Sequence, residues 1–192
     1  MAKGLSAESI TVAAAELIEQ YGRSGFSMRL LADTMGVKTA SLYNHIENMD
    51  TLLTEVCRYA LRMQEDGELR AIAGKTGREA VWALAWAYRR FAQQHRELYW
   101  LVMDTAAGEP RVLDDAAARF TEPLNQVLSG FRLPPREEIH FRRMFRAIVH
   151  GFASQEDEGF FSHYPASTEL SFEFAIQRFV DCVLEAEKRN PS

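Results

Sequence analysis

Cysteine is almost missing from this chain, with two in 192 residues. Cys57 and Cys182 lie too far apart to build a metal knuckle or a disulfide framework, and both fall in apolar-periodic stretches. They read as reduced, buried thiols. Positive charge is also in short supply. Twenty-two Lys and Arg stand against 27 Asp and Glu, a formal net charge of -5. That balance excludes a protein that holds nucleic acid or membrane by bulk charge, yet leaves room for a small, shaped DNA-reading surface on an acidic body. No stretch approaches the roughly 18–20 apolar residues of a membrane span, and Glu16 and Glu19 interrupt the first twenty residues where a secretory h-region would lie. A soluble, cytoplasmic protein without membrane association is expected.

Catalytic constellations are lacking too. Glu137-Glu138-Ile139-His140 contains a Glu-x-x-His, half of a bundle di-metal site, but none of His45, His95, His150 or His163 has a Glu three residues before it. The run Glu156-Asp157-Glu158 reads as a solvated helix end. No glycine-rich phosphate loop, nucleophile elbow or Cys-His pair is found. The expectation is a protein that is not an enzyme and holds no metal or cofactor.

Apolar residues are plentiful, at 47%, and they recur at helical spacing nearly everywhere. No alternating β-branched run of useful length exists, so no sheet is expected. Ser6, with Glu8 and Ser9 behind it, opens a helix that ends near Tyr21-Gly22. Ser27 caps a second helix, Met28 to Met35, which Gly36 stops. A short third helix follows from about Lys38 to His45, and Asn48 or Asp50 starts a long fourth through Met63. Gly67, Gly74 and Gly77 bracket a charged link. Further helices are predicted near 78–94, 97–106, 111–128, 136–156 and 167–187, with breaks at Gly108-Glu109-Pro110, Gly130 to Pro135 and Gly159 to Pro165.

Residues 27–45 satisfy the demands of a helix-turn-helix. Ala32 is small where two helices must approach, and Gly36 can take the positive φ of a sharp turn. Leu31, Met35, Val37 and Leu42 point inward. Lys38, Thr39, Ser41, Tyr43 and Asn44 offer donors and small polar groups suited to phosphates and base edges. Any helical hairpin with an Ala and a Gly shares part of this pattern. The flanks distinguish it, since an amphipathic helix precedes it and the segment 43–53 leads straight into a long helix.

This arrangement resembles the TetR family of transcriptional regulators. The resemblance runs from Ala13-Ala14-Ala15-Glu16-Leu17 through Gly22, Phe26-Ser27-Met28-Arg29, Leu31-Ala32 and Gly36-Val37 to Leu42-Tyr43-Asn44-His45-Ile46 and Leu52-Leu53, about the first quarter of the chain. It implies an all-α fold with an N-terminal three-helix DNA-binding domain (1–50) and a C-terminal helical ligand-binding and dimerisation domain (51–192). It also implies repression of double-stranded operator DNA, relieved by a small molecule. Carried over residue by residue, it makes Ser27 and Arg29 phosphate contacts. Lys38, Thr39, Ser41, Tyr43 and His45 become the recognition-helix set, with Tyr43 and His45 more often on the backbone than on bases, and Asn44 joins them by its polar side chain alone. Met49 departs from the pattern, because the family often has there a Lys that grips a phosphate. Residues 1–50 carry four cations against six carboxylates, so few phosphates are neutralised. A helical ligand-binding or adaptor protein with a decayed head is the alternative.

In the body, the last two helices have more apolar surface than one core face requires, which points to a shared twofold interface. Phe141, Phe152, Phe172, Phe179 and Val183 are its expected residues, making a homodimer; an internal pair in a monomer is the other possibility. The segment 146–152 with Glu156, 159–161 and 171–173 resembles a C-terminal subgroup of the family labelled by Trp-His-Gly, although the Trp is missing here. His150-Gly151 implies close helix approach. Trp82, Trp86 and Trp100, with Met63, Met103, Phe120, Phe145 and His150, are the expected lining of a pocket. Few charges interleave them, so an apolar or aromatic effector is expected.

Overall fold

The computed structural model describes residues 4–108 and 114–190, the side chains of 107–120 excepted. Among the described residues are nine α-helices and no strand: α1 Ala7–Gly25, α2 Met28–Met35, α3 Thr39–Leu42, α4 Met49–Ile72, α5 Gly77–Gln94, α6 Arg96–Gly108, α7 Asp114–Ser129, α8 Pro135–Asp157 and α9 Thr168–Lys188. A single 3₁₀ turn, Phe160–His163, lies between the last two helices. The chain forms two compact units, Met1–Met63 with His95–Arg119, and Gln64–Gln94 with Phe120–Ser192. Helix α4 therefore gives residues 49–63 to the first and 64–72 to the second.

In the first unit, the Ser6 hydroxyl accepts from the Ser9 amide while the Ser9 side chain accepts from the Ser6 amide, closing a capping box. Ile10, Ala14, Leu17 and Ile18 form the buried stripe of α1, which packs on α2 and α6. The regular helix breaks at Gly22, whose φ of 70° and ψ of 165° suit glycine. A side chain there would also meet the Glu97 carboxylate at 3.2 Å. Beside it, His95 Nδ1 lies 2.9 Å from Glu19 Oε1, so the start of α6 meets the end of α1 at two points.

The second unit is built on α5, α8 and α9, which pack pairwise. Phe179 is met edge-on by Phe141 and Phe145, with centroids 6.1 and 5.4 Å away. Arg89 is buried, and its guanidinium makes a two-pronged bridge to Glu156, with Nε 2.9 Å from Oε2. The same group lies 5.1 Å from the ring centre of Trp86 and 4.9 Å from that of Phe172. Ser167 caps α9 by accepting from the Leu170 amide.

Several expectations require correction. Helix α3 closes at Leu42 and residues 43–45 continue as a turn. Residues 64–72 extend α4 instead of belonging to a link. An interior Gly costs about 1 kcal/mol, less than burying the Ile72 side chain at the end of the same helix returns. Glu156 is not solvated, since Arg89 draws it inward. Cys182 is exposed, while Cys57 is buried. Burial pushes the Cys57 thiol up, against a weaker opposing effect of its hydrogen bond to Thr105.

Candidate nucleic-acid interface

Helix α2 begins where the Ser27 hydroxyl accepts from the Leu30 amide, 3.1 Å away. It ends at Gly36, with φ 68° and ψ 30°. The Val37 amide donates back to the Ala32 carbonyl and the Gly36 amide to that of Asp33, a Schellman closure. This turn sends the chain into α3 at once. Leu31 and Leu42 are fully buried, and Ala32 is buried with them. Met35 and Val37 are half-buried. The hairpin is thus locked by its apolar side chains, which frees its polar ones for the surface.

Most of the polar side chains singled out in the sequence lie at this surface. Arg29 is 89% exposed, in loose i,i+4 contact with Asp33 at 3.8 Å. Ser27, Lys38, Asn44 and His45 are exposed, Thr39 and Ser41 half-buried, and Tyr43 50% exposed. All eight lie within one continuous segment, so local folding alone presents them together. The Ser27 oxygen is engaged as a cap, and its hydroxyl hydrogen is left to donate. At the start of α4, the Asn48 Oδ1 accepts from the Thr51 amide at 2.8 Å. Helix starts of this kind attract phosphate oxygens through their amides, and this one sits directly after the recognition turn. Met49, half-buried, adds no charge there.

The residues expected to line a ligand pocket are divided. Met63, Trp100 and Met103 belong to the first unit, and Trp82, Trp86, Phe145 and His150 to the second. The side chain of Phe120 lies outside those described. Within the second unit, Trp86 stacks edge-on with Phe172, 5.2 Å between centres. In the first, Trp100 does the same with Tyr99 at 5.6 Å. Sequence reasoning overlooked Gln64, Glu68 and Arg146, which meet in the second unit. Their signal, polar residues one helical turn apart on α4 and an Arg one turn after Arg142 and Arg143 on α8, was present but ambiguous.

The interface set also needs correction. Phe172, Phe179 and Val183 have no more than 1% exposure within the subunit, and Phe141 is buried. Phe152 is half-buried, stacking on Phe161 and Phe172. A side chain enclosed by its own subunit adds little to a second. The apolar residues that α8 and α9 turn outward are Ile139, Leu170 and Phe174, at 48%, 64% and 66% exposure.

No helix among the described residues is long and apolar enough to cross a membrane. Residues 10–56 match the family model for bacterial regulatory proteins of the tetR family, and residues 81–179 match the tetracyclin repressor-like C-terminal domain. An HTH-type transcriptional regulator of Bacillus subtilis (strain 168) is 28% identical over 94% of this chain and 94% of its own. A Rhodococcus sp. RHA1 protein of unknown function shares the fold with a TM-score of 0.79 at 21% identity, covering 94% of this chain and 96% of that one. The minocycline complex of a TetR variant from Acinetobacter baumannii AYE has a TM-score of 0.68 at 19% identity, over 98% of this chain and 99% of that one. With a described helix-turn-helix at one end and family models over 10–56 and 81–179, the chain belongs to the TetR family of bacterial regulatory proteins and is a DNA-binding transcriptional regulator.

Proposed function

We propose that the protein is a cytoplasmic repressor that binds a near-palindromic operator as a homodimer and is released by a small apolar or aromatic effector. The observation that carries the DNA part is the division of labour in residues 27–45, where buried Leu31, Ala32 and Leu42 fix the hairpin while the polar residues remain accessible. Arg29 and Ser27 hold phosphates, and Lys38, Thr39, Ser41 and Asn44 reach into a major groove. Residues 1–50 form the DNA-binding domain and 51–192 the ligand-binding and dimerisation domain.

Dimerisation uses the outward face of α8 and α9. Leu170 and Phe174 lie one turn apart on α9, and Ile139 adds an apolar side chain from α8. Such helices bury their exposed stripe by pairing with a second copy in a twofold four-helix arrangement. Two heads bind together when they sit about 34–36 Å apart, one turn of duplex. An effector that prefers a body with a different head separation weakens DNA binding by that preference alone.

Selection from random duplex DNA tests the proposal. Enrichment of a near-palindrome is expected. Failure to enrich any sequence would leave a helical ligand-binding or adaptor protein. Salt titration sharpens the result. With so few cations in the head, the slope should correspond to about 4 to 6 phosphates per dimer, and a slope typical of a strongly basic repressor would contradict it.

A further inference from the structure

Within the second unit, a cavity of about 10 Å³ has walls of two kinds. Leu84, Leu124, Phe145 and Val149 are apolar, whereas Glu68, Tyr88 and Arg146 are polar. The volume suits one water-sized group. Glu68 is buried, with 4% exposure, and its Oε1 accepts from the Gln64 Nε2 at 2.8 Å. Arg146, on α8, borders the same cavity, and the Glu68 carboxylate favours its charged form. A carboxyl and a guanidinium thus border one small void from different helices.

Stability gives little reason to place them there. Taking opposite charges out of water costs several kcal/mol, and well-packed apolar residues of similar volume often serve as well or better. Burial leaves its mark on both groups. The Glu68 carboxyl is pushed up to about 7, chiefly by desolvation, and the Arg146 guanidinium is lowered for the same reason. Both groups line the cavity, one from α4 and the other from α8.

We propose that this cavity is the recognition end of the effector site and takes a net-neutral, largely apolar molecule ending in an adjoining hydrogen-bond donor and acceptor, of the carboxamide class. This rests on the effector reading above and narrows it. The donor faces Glu68 and the acceptor faces Arg146, while the apolar part meets Leu84, Leu124, Phe145 and Val149. A ligand group with one full charge gains from one partner and is repelled by the other. A neutral donor–acceptor pair satisfies both without a second desolvated charge. The cavity is small in this form, so the ligand's body enters as the walls part, and binding selects an opened body. Because Gln64 and Glu68 belong to α4, the contact is made on the helix that begins just after the recognition turn.

Calorimetric titration of the full chain, free of DNA, with benzamide, benzoate, benzylammonium and toluene tests this. Benzamide should bind at least tenfold more tightly than the other three. Arg146→Met and Glu68→Leu should each weaken benzamide at least tenfold. Glu68→Gln keeps an acceptor and the same shape, so benzamide should stay within about threefold. In that variant benzoate should bind at least tenfold more tightly than in the wild type, a gain that misfolding does not produce. Equal binding of toluene and benzamide, no binding of benzamide, or benzoate affinity unmoved by Glu68→Gln would each overturn the assignment. An operator that is enriched and released by some other ligand would sink only this ligand class. No enriched duplex, with the benzamide pattern intact, would sink the regulator reading and leave the site standing.

Discussion

The helix-turn-helix segment and the α5–α8–α9 body treat polar side chains in opposite ways. In residues 27–45, apolar groups close the hairpin, and Arg29, Lys38, Asn44 and His45 are left at the surface. In the body, polar groups turn inward, with Arg89 bridging Glu156 beneath two aromatic rings and Gln64 donating to a buried Glu68. An exposed polar residue costs the fold almost nothing and is available to a partner. A buried one costs desolvation unless something answers it. The head is therefore open to change in specificity at constant stability, whereas the body's polar groups tie stability to pairing.

Four substitutions break or sharpen this contrast. Arg89→Ala should have the largest effect, since it strands the inward-drawn Glu156 carboxylate. A loss of about 4 kcal/mol is expected in urea unfolding, with much of it recovered in an Arg89→Leu, Glu156→Leu double variant. An unchanged midpoint for Arg89→Ala would show that the bridge is not answering a buried charge.

Glu68→Gln comes next, and its effect depends on pH. The folded carboxyl titrates near 7, above its ordinary 4.5, so between these values the native state holds more protons than the unfolded chain. Stability attributable to Glu68 falls as pH rises through that window. Arg146 on α8 and the neighbouring Glu65 act on this carboxyl in opposite senses, lowering and raising it, and Tyr88 also lines the cavity. The stability of Glu68→Gln relative to wild type should rise by about 3 kcal/mol between pH 4.5 and pH 8. Urea midpoints of both proteins at the two pH values measure this, and parallel curves would refute it.

Ser27→Ala removes the α2 cap and should cost about 1 kcal/mol, with operator affinity reduced as well. A thermal melt beside a duplex titration separates the two effects. Asn44→Ala is the smallest for the fold, within about 0.5 kcal/mol. Its operator affinity should nevertheless drop by about tenfold, the loss of a good base-edge contact. Should Asn44→Ala unfold the protein instead, the surface role of the recognition turn would be lost.

The helix-turn-helix was readable because its determinants are local. Ser27, Ala32, Gly36 and Leu42 act on neighbours within a few residues, and the same holds for Ser6 and Ser167 at their helix starts. The body was less legible. Glu156 looked solvated because it heads an acidic run at a helix end, yet its partner is 67 residues away. Gly67 looked like a break because its local cost is visible and the burial of Ile72 further along the helix is not. Phe172 and Phe174 are equally apolar, and nothing in their spacing says which is enclosed by its own subunit.

By itself, the sequence determined that this chain is helical, where most helices begin, and which contiguous polar side chains the helix-turn-helix carries. Those outcomes follow from backbone hydrogen bonding, caps and turn conformations that act over a few residues. Tertiary structure alone decided which face of α9 packs inward, that Arg89 would reach Glu156, and that Glu68 and Arg146 would border one cavity. These depend on how distant helices pack, where burial and electrostatic pairing outweigh any preference carried within a single turn.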